Sequence, residues 1–359
     1  MQLFGCLTGI HPFSEELVQA ILGHKYGRTA FDPVKKEFKA DLTNLIKLQQ
    51  QLEFGLVTTG NLGWWDLFRP FVEHLEGILP FETVSELPVA RHPLTNTFYR
   101  KATITGKVTA TEPILTEKSR DPFLGVPIIF NQYLPPELKK KGWLAILPGP
   151  YHFQYASQGS SSQTNIISDF ADVLISEIRA LESLGFSHVL LDESPLTWQQ
   201  RTRQTPHQEH LAATQEALQK IAKKSSVIIY VHTFNGKITW QPPTFDKTIL
   251  DLLLDAKVGG IGIDFLQTKI SDISDSSLRE IDLIAGVVDA TSYTRDSKGE
   301  STSGDSEEII AQAKQLLELE PQRVILAPTT RLEMIPRVAA DQKLRTLAKA
   351  IQHLRKEED

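Results

Sequence analysis

The chain contains almost no cysteine, with Cys6 as the single example among 359 residues. No internal disulfide is therefore possible, and nothing indicates an oxidising compartment. A zinc site built from several thiolates is also excluded, because such a site needs more than one cysteine.

Long apolar runs and an excess of basic residues are also missing. No apolar run approaches the roughly 20 residues that span a bilayer, and the start "MQLFGCLTGIHPF" lacks the features of a signal peptide. The net charge of -6 and the pI near 6.0 argue against nucleic acid and anionic membranes as partners. We therefore expect a cytoplasmic protein that acts on small molecules.

Short apolar runs alternate with longer amphipathic segments along the chain. About eight runs are apolar enough for strands that are buried on both faces of a parallel sheet. They lie at 3–9, 55–60, 143–149, 187–194, 226–234, 259–265, 285–292 and 323–330.

The segments between these runs have helical periodicity. In the segment after the third run, Ile167, Phe170 and Leu174 share one face, and Gly185 marks the helix end. Alternating strands and helices predict a (β/α)8 TIM barrel spanning residues 1–359 as a single domain. A doubly wound open sheet is the alternative, but no glycine-rich phosphate loop follows the first run. Extra residues predict a helical insertion at 23–54 and a mixed, proline-rich insertion at 80–141.

Polar side chains follow most of the predicted strands. Because active sites of such barrels lie at the carboxyl ends of the strands, these residues are candidates for catalysis or binding. Asp192 and Glu193 are neighbours on a strand and face opposite ways, so we expect Asp192 to point into the barrel mouth. The other candidates from strand ends are His11, His152, Tyr155, His232, Asp264 and Thr291.

The order of these motifs resembles the cobalamin-independent methionine synthase family, in the single-barrel form that corresponds to its catalytic half. The resemblance runs almost from end to end. The stretch "LESLGFSHVLLDESPL" is similar to the family's xxAGxxxIQIDEPAL motif, "VHTF" to HxHxC, "GVVDATS" to GVxDVHS and "LAPTTRLEMIPRVAADQKL" to NPDCGLxxxxxxxAxxKL; the stretches "LTGIHP", "FYRKATITGKV" and "LPGPYHFQYAS" match further family motifs.

The resemblance implies a methyltransferase that moves a methyl group from a methylated folate, or from a corrinoid such as methylcobalamin on a corrinoid protein, to a thiol such as homocysteine. In that family a zinc ion holds the substrate as a thiolate, the strongly nucleophilic form. His232 and Asp264 fall on two of the four zinc-ligand positions. The catalytic set implied is His232, Asp192 and Asp264, and the substrate-binding set is Gly9, His11, Asn61, Glu193, His152, Tyr155 and Thr291.

Several positions depart from the family pattern. Phe234 and Thr330 stand where the family has its zinc-binding cysteines. Asn61 replaces the glutamate that holds the substrate's amino group, and Thr291 replaces the histidine that acts as a general acid. Asp192 does match the acidic residue that contacts the amino acid's ammonium group.

Three alternatives stay open from the sequence. The barrel could be a metal-free lyase or transferase in which His232 is the acid or base and Asp192 or Asp264 orients it. It could instead be a non-catalytic paralogue. A metal site of a different composition could also form if His11, His152, His232 and Asp264 converged.

Overall fold

The central sheet of the protein contains seven parallel strands. A computed structural model describes residues 2–64, 66–79, 89–91, 98–117, 142–159, 163–197, 207–234, 247–273, 276–291 and 306–358. In spatial order the strands are β1 (Gln2–Gly5), β12 (Arg323–Pro328), β11 (Asp282–Val288), β10 (Gly260–Asp264), β9 (Ile228–His232), β8 (Phe186–Asp192) and β6 (Trp143–Pro148). All six neighbouring pairs are parallel, as near-continuous apolar runs predict.

Residues 55–60 fill the gap between the two edges of this sheet. Val57 pairs with Trp143 at the edge of β6, and the ring of Phe54 packs against Gly5 of β1. The curled seven-stranded sheet is consistent with the predicted (β/α)8 barrel, and residues 55–60 lie beside β6 in place of the eighth strand.

The predicted second strand at 55–60 is reduced to this one bridge. The backbone of Thr58 has both of its hydrogen bonds to the side chain of Gln49, at 2.7 and 3.1 Å, instead of to a neighbouring strand. Gly60 and Asn61 then adopt positive φ angles of 61° and 45°, which end any extended conformation. The side-chain amide of Gln49 therefore takes the place of the backbone hydrogen bonds that a neighbouring strand would make to Thr58.

Helices flank the barrel where periodicity predicts them. The ten helices of the described residues are α1 (Glu15–Lys25), α2 (Asp32–Gln51), α3 (Arg69–Val72), α4 (Ile114–Glu117), α5 (Pro150–Tyr155), α6 (Gln163–Ser183), α7 (Gln208–Lys224), α8 (Lys247–Asp255), α9 (Ser306–Leu317) and α10 (Arg337–Glu358). The predicted face of α6 is buried, and Gly185 beyond its end has a φ of +94°. Helix α2 occupies most of the predicted 23–54 insertion.

The predicted 80–141 insertion lies partly outside the described residues. Its described part contributes strands β3 (Val89–Arg91), β4 (Phe98–Arg100) and β5 (Ala102–Thr109) to two small sheets, which also include strands from outside the insertion. Strands β5, β2 (Glu76–Ile78) and β7 (Ser157–Gly159) form one, and β3 pairs with β4 in the other. The single-domain organisation stays a prediction. Throughout the described ranges, no helix combines the length and the apolar character needed to cross a membrane.

The barrel interior has its own apolar cluster, separate from the larger core between sheet and helices. Its buried members are Cys6, Leu56, Leu144, Ile146, Leu190, Tyr230, Phe234, Ile284, Ile325 and Ala327. The Tyr230 hydroxyl donates to Asp282 Oδ2 at 2.7 Å, and Arg323 Nη2 donates to the same hydroxyl at 2.8 Å. These bonds join β9, β11 and β12 and satisfy a phenol that would otherwise be costly to bury.

Tyr230→Phe should lower the free energy of unfolding by about 1–3 kcal/mol, because a buried hydrogen bond to a charged group is lost. Urea unfolding followed by circular dichroism measures this. Tyr26→Phe is the matched control, since Tyr26 is 63% exposed and should tolerate the same change. Equal stability of the two variants would contradict the assigned role of the Tyr230 hydroxyl.

Candidate active site

Three adjacent strand ends bring their polar residues together at the carboxyl end of the barrel. Asp192 ends β8, His232 ends β9, and β6 leads through Gly149 into α5, which carries His152. The backbone N–H of Gly149 donates to Asp192 O at 2.9 Å, and that of Glu193 donates to His232 O at 2.9 Å. Main-chain hydrogen bonds therefore fix the spacing of the three ends.

The carboxylate of Asp192 lies between the two histidines. Its Oδ1 accepts from His152 Nδ1 at 3.1 Å, from the backbone N–H of Ser194 at 3.0 Å and from the Ser194 hydroxyl. Its Oδ2 lies 4.0 Å from His232 Nε2, which is beyond hydrogen-bond distance. One oxygen is thus saturated and the other faces an imidazole across a short gap.

The electrostatic setting keeps Asp192 ionised. Burial alone would raise its pKa, but the neighbouring His152 and His232 and the hydrogen bonds from His152 and Ser194 hold it well below the usual range. The pKa of His232 is lowered, first by burial and also by His152, although Asp192 acts in the opposite direction. At neutral pH the site therefore pairs a carboxylate with a neutral His232.

Glu193 points the other way, as the alternation along a strand predicts. Its two oxygens accept the N–H groups of Tyr151 and His152 at 3.0 and 2.8 Å, so it caps the first turn of α5. Burial raises the pKa of Glu193 to about 8, although both amide groups favour the carboxylate. Its contacts within the protein are therefore those of a helix cap that positions His152.

His11 is bonded to the C-terminal helix. Its Nε2 lies 2.9 Å from Asp341 Oδ1, and Arg337 Nε donates to the same oxygen at 2.9 Å. Burial lowers the pKa of His11 against the opposing effect of Asp341. These contacts anchor α10 to the loop after β1.

Gly9 and Asn61 shape the loops that follow β1 and the 55–60 segment. Gly9 has a φ of +77°, and a Cβ there would lie 2.1 Å from the Arg331 side chain, so only glycine fits. The Asn61 side-chain amide donates to Ile146 O at 3.0 Å and ties its loop to β6.

Thr291 follows β11, and Tyr155 is the last residue of α5. The Thr291 hydroxyl donates to Asp289 Oδ1 at 2.8 Å in a tight turn after β11. Tyr155 is partly exposed, and Lys101 Nζ lies 5.7 Å from its ring centroid. Burial raises the pKa of the Tyr155 phenol.

Sequence reasoning missed Ser194 and Glu333. Ser194 follows Asp192 by two residues, a spacing at which side chains form local turns, so this partner was accessible from the sequence. Burial raises the pKa of Glu333, as do the charges of Asp66 and Asp192, whereas Arg331 lowers it. Nothing in the local pattern indicated that Glu333 lies within the electrostatic reach of Asp192.

The residues present do not fit the zinc site of the resembled family. Phe234 occupies a cysteine position, and its ring lies 4.6 Å from the ring of His232, centroid to centroid. The ring also packs closely against the neighbouring strands. A Cβ added to Gly262 or to Gly286 would lie only 3.2 or 3.3 Å from Phe234 Cε1. An apolar ring therefore stands where a thiolate would bind.

The tautomer of His232 also disfavours metal binding. The backbone N–H of Phe234 donates to His232 Nδ1 at 3.2 Å, which leaves the hydrogen of the neutral ring on Nε2. A ligand histidine usually donates through its second nitrogen instead. Asp264 Oδ1 accepts the N–H of Leu266 at 3.0 Å.

Cys6 cannot supply the missing thiolate. It is fully buried in the barrel interior, and burial raises its pKa to about 12. Among the residues that the structure describes, no three His, Cys, Asp or Glu side chains are grouped to hold a metal ion. The site assembled from His11, His152, His232 and Asp264 is therefore not formed.

The fold and sequence are similar to those of known methyltransferases. Across 98% of this chain and 92% of the relative, the sequence is 22% identical to a methionine synthase of Sulfolobus acidocaldarius, over 355 residues. A methionine synthase of Sulfurisphaera tokodaii is 23% identical over 353 residues, with the same two coverages. No family model matches the chain.

The chain is thus similar to methionine synthases over almost its whole length.

Solved structures share the fold of this chain. A B12-independent methionine synthase from a Shewanella species, in complex with selenomethionine, superposes with a TM-score of 0.75 at 13% identity over 99% of both chains. A methyltransferase from Methanosarcina mazei gives a TM-score of 0.54 at 13% identity, covering 99% of this chain and 94% of that one. The resemblance predicted from the sequence and the barrel predicted from its periodicity are both confirmed.

Gly149→Ala should destabilise the site, because the new methyl group would lie 2.2 Å from Glu193 Cδ. The expected loss in the free energy of unfolding is about 1–3 kcal/mol, typical of overpacking, and urea unfolding measures it. Gly106→Ala is the control, since its Cβ would meet only the Cα of Gly77 at 3.9 Å. If both variants were as stable as the parent protein, the close contact between Gly149 and Glu193 would be refuted.

Proposed function

We propose that the chain is a methyltransferase that transfers a methyl group to the thiol of a small amino acid such as homocysteine. Support comes from the similarity to methionine synthases over 98% of the chain and from the TM-score of 0.75 to a B12-independent methionine synthase. The observation that carries the proposal is Asp192, which stands at the ammonium-binding position of the family and lies at the carboxyl end of β8.

The state of Asp192 suits an ammonium ligand. The carboxylate is buried and its pKa is held low by its neighbours, so it remains charged when substrate arrives. Its Oδ1 is saturated by His152 and Ser194, whereas Oδ2 faces the 4.0 Å gap to His232. An amino group bound at Oδ2 would form a charge-assisted hydrogen bond in a site where water competes poorly.

A methylated folate is the donor that we favour over methylcobalamin or a corrinoid protein. The Shewanella structure is described as B12-independent, which supports a donor other than a corrinoid. Small-molecule substrates also agree with the net charge of -6, which offers no broad basic surface to nucleic acid. The single cysteine supports a cytoplasmic location.

The zinc of the resembled family has no place in this reaction scheme, because its ligand set is not present. His232 and Asp264 remain, but Phe234 and Thr330 cannot supply thiolates. The catalytic set that we propose is Asp192 with the two histidines around it. Asp264, at the end of β10, lines the same end of the barrel.

Asp192→Asn should raise KM for homocysteine and lower kcat/KM roughly 10- to 100-fold, the loss expected for a charged hydrogen bond. Methionine formed from homocysteine and methylated folate is measured by mass spectrometry, with methylcobalamin as the second donor. Asp172→Asn is the control, because Asp172 lies on α6 with a side chain that is 54% exposed and pairs only with Lys220 among the described residues.

Two results would contradict the proposal. One is a folded wild-type protein that forms no methionine with either donor, as a non-catalytic paralogue would. The other is an Asp192→Asn variant that keeps the parent kcat/KM, since the ammonium would then bind elsewhere.

A further inference from the structure

We propose that α1 is a self-association surface, through which two copies of this chain pair with their α1 helices antiparallel. This surface is separate from the proposed methyl transfer, which uses no residue of α1. Three features of the helix support it: an exposed apolar ridge, the distribution of its charges, and its firm attachment to the rest of the protein.

The outward side of α1 carries the apolar ridge. Among the described residues, seven large apolar side chains are exposed, and three of them, Val18, Leu22 and Tyr26, lie on α1 or at its C-terminal cap. Their spacing of four residues places them along one side of the helix. Leu17 and Ile21 are buried and face the protein. Single exposed apolar residues are common on protein surfaces, but three in line on one short helix form a continuous patch.

The ridge suits an antiparallel copy of itself. Glu15, Val18, Leu22 and Lys25 are exposed and follow the spacing of three, four and three residues that core positions of a heptad have. When two such helices pair antiparallel, Val18 lies against Leu22 of the second copy, and Glu15 lies against Lys25 of the second copy. The twofold axis repeats each contact. The result is two apolar layers with an ion pair on either side.

The charges of α1 favour this antiparallel arrangement over a parallel one. Its first turn is acidic, with Glu15 and Glu16, and its last turn is basic, with His24 and Lys25. An antiparallel pair brings each acidic turn to a basic turn, whereas a parallel pair would bring like charges together. Within the described ranges, neither Glu15 nor Lys25 forms an ion pair. The helix dipole favours the same charges at each end, but it does not account for the apolar ridge between them.

The N-terminal end of α1 is fixed to the rest of the protein. The Ser14 hydroxyl accepts the N–H of Leu17 at 3.2 Å, and the N–H of Ser14 donates to Asp41 Oδ2 at 2.8 Å. Arg337 Nη1 donates to the other oxygen of Asp41 at 2.6 Å. The helix is thus held by α2 and α10 before association, so pairing needs little further ordering of the backbone.

The length of α1 sets the strength of the dimer. Its 11 residues span about 16 Å, and one helix pair of this length buries less than the roughly 1,600 Å² of a standard interface. We therefore expect a Kd between about 1 μM and about 1 mM, the weak end of specific association. Sedimentation equilibrium over that range should show the average mass rise from 40.3 kDa towards twice that value. A mass of 40.3 kDa at every concentration would overturn the proposal.

Leu22→Glu should raise the Kd of the dimer about tenfold or more, because it places a carboxylate in both apolar layers. Leu79→Glu is the matched control, since Leu79 is 51% exposed and lies outside α1, directly after β2. Circular dichroism verifies that both variants are folded. An unchanged Kd in Leu22→Glu, or an equal increase in the two variants, would contradict the assigned surface.

Charge exchange tests the antiparallel register. Glu15→Lys and Lys25→Glu should each raise the Kd roughly fivefold at low salt, because two ion pairs are lost and like charges meet. An equimolar mixture of these two variants should associate as the parent protein does, since every pair in the mixed dimer again has opposite charges. Single variants that associate like the parent protein, or a mixture that associates no better than either variant alone, would overturn this register.

Discussion

The buried carboxylate of Asp192 is the interaction on which the candidate site depends. It accepts from His152 on α5 and from Ser194 after β8, and its second oxygen faces His232 at the end of β9. A buried charge is tolerated only when it is surrounded by donors, so these neighbours stabilise the fold and the ionised state together. The same carboxylate sets the tautomer of His152, because its Oδ1 only accepts and the hydrogen must therefore lie on Nδ1.

Phe234 changes what the barrel can do. A ring in the place of a thiolate joins the interior apolar cluster with Tyr230 and packs against His232. The backbone N–H of the same residue occupies the lone pair of His232. One position therefore removes a thiolate ligand and engages the Nδ1 of the neighbouring histidine. The barrel and the buried carboxylate of Asp192 are kept, whereas the thiolate position is not.

Much of the fold was predictable, because buried parallel strands are apolar whatever their partners. The 55–60 run was the exception: Gln49 takes the hydrogen bonds of Thr58, a side-chain contact that no periodicity encodes. The strand-end candidates were also predictable, and alternation correctly separated Asp192 from Glu193. The roles of His152 and His232 were not, since they depend on which ring nitrogen faces which group. The orientation of an imidazole ring can be read only from the three-dimensional structure.

The zinc content of the protein, purified without chelators, tests the central claim most directly. If the site works without zinc, elemental analysis should find far less than one zinc ion per chain, and prolonged dialysis against a chelator should leave methyl transfer unchanged. One tightly bound zinc ion per chain, with activity lost on its removal and regained on its return, would contradict the account.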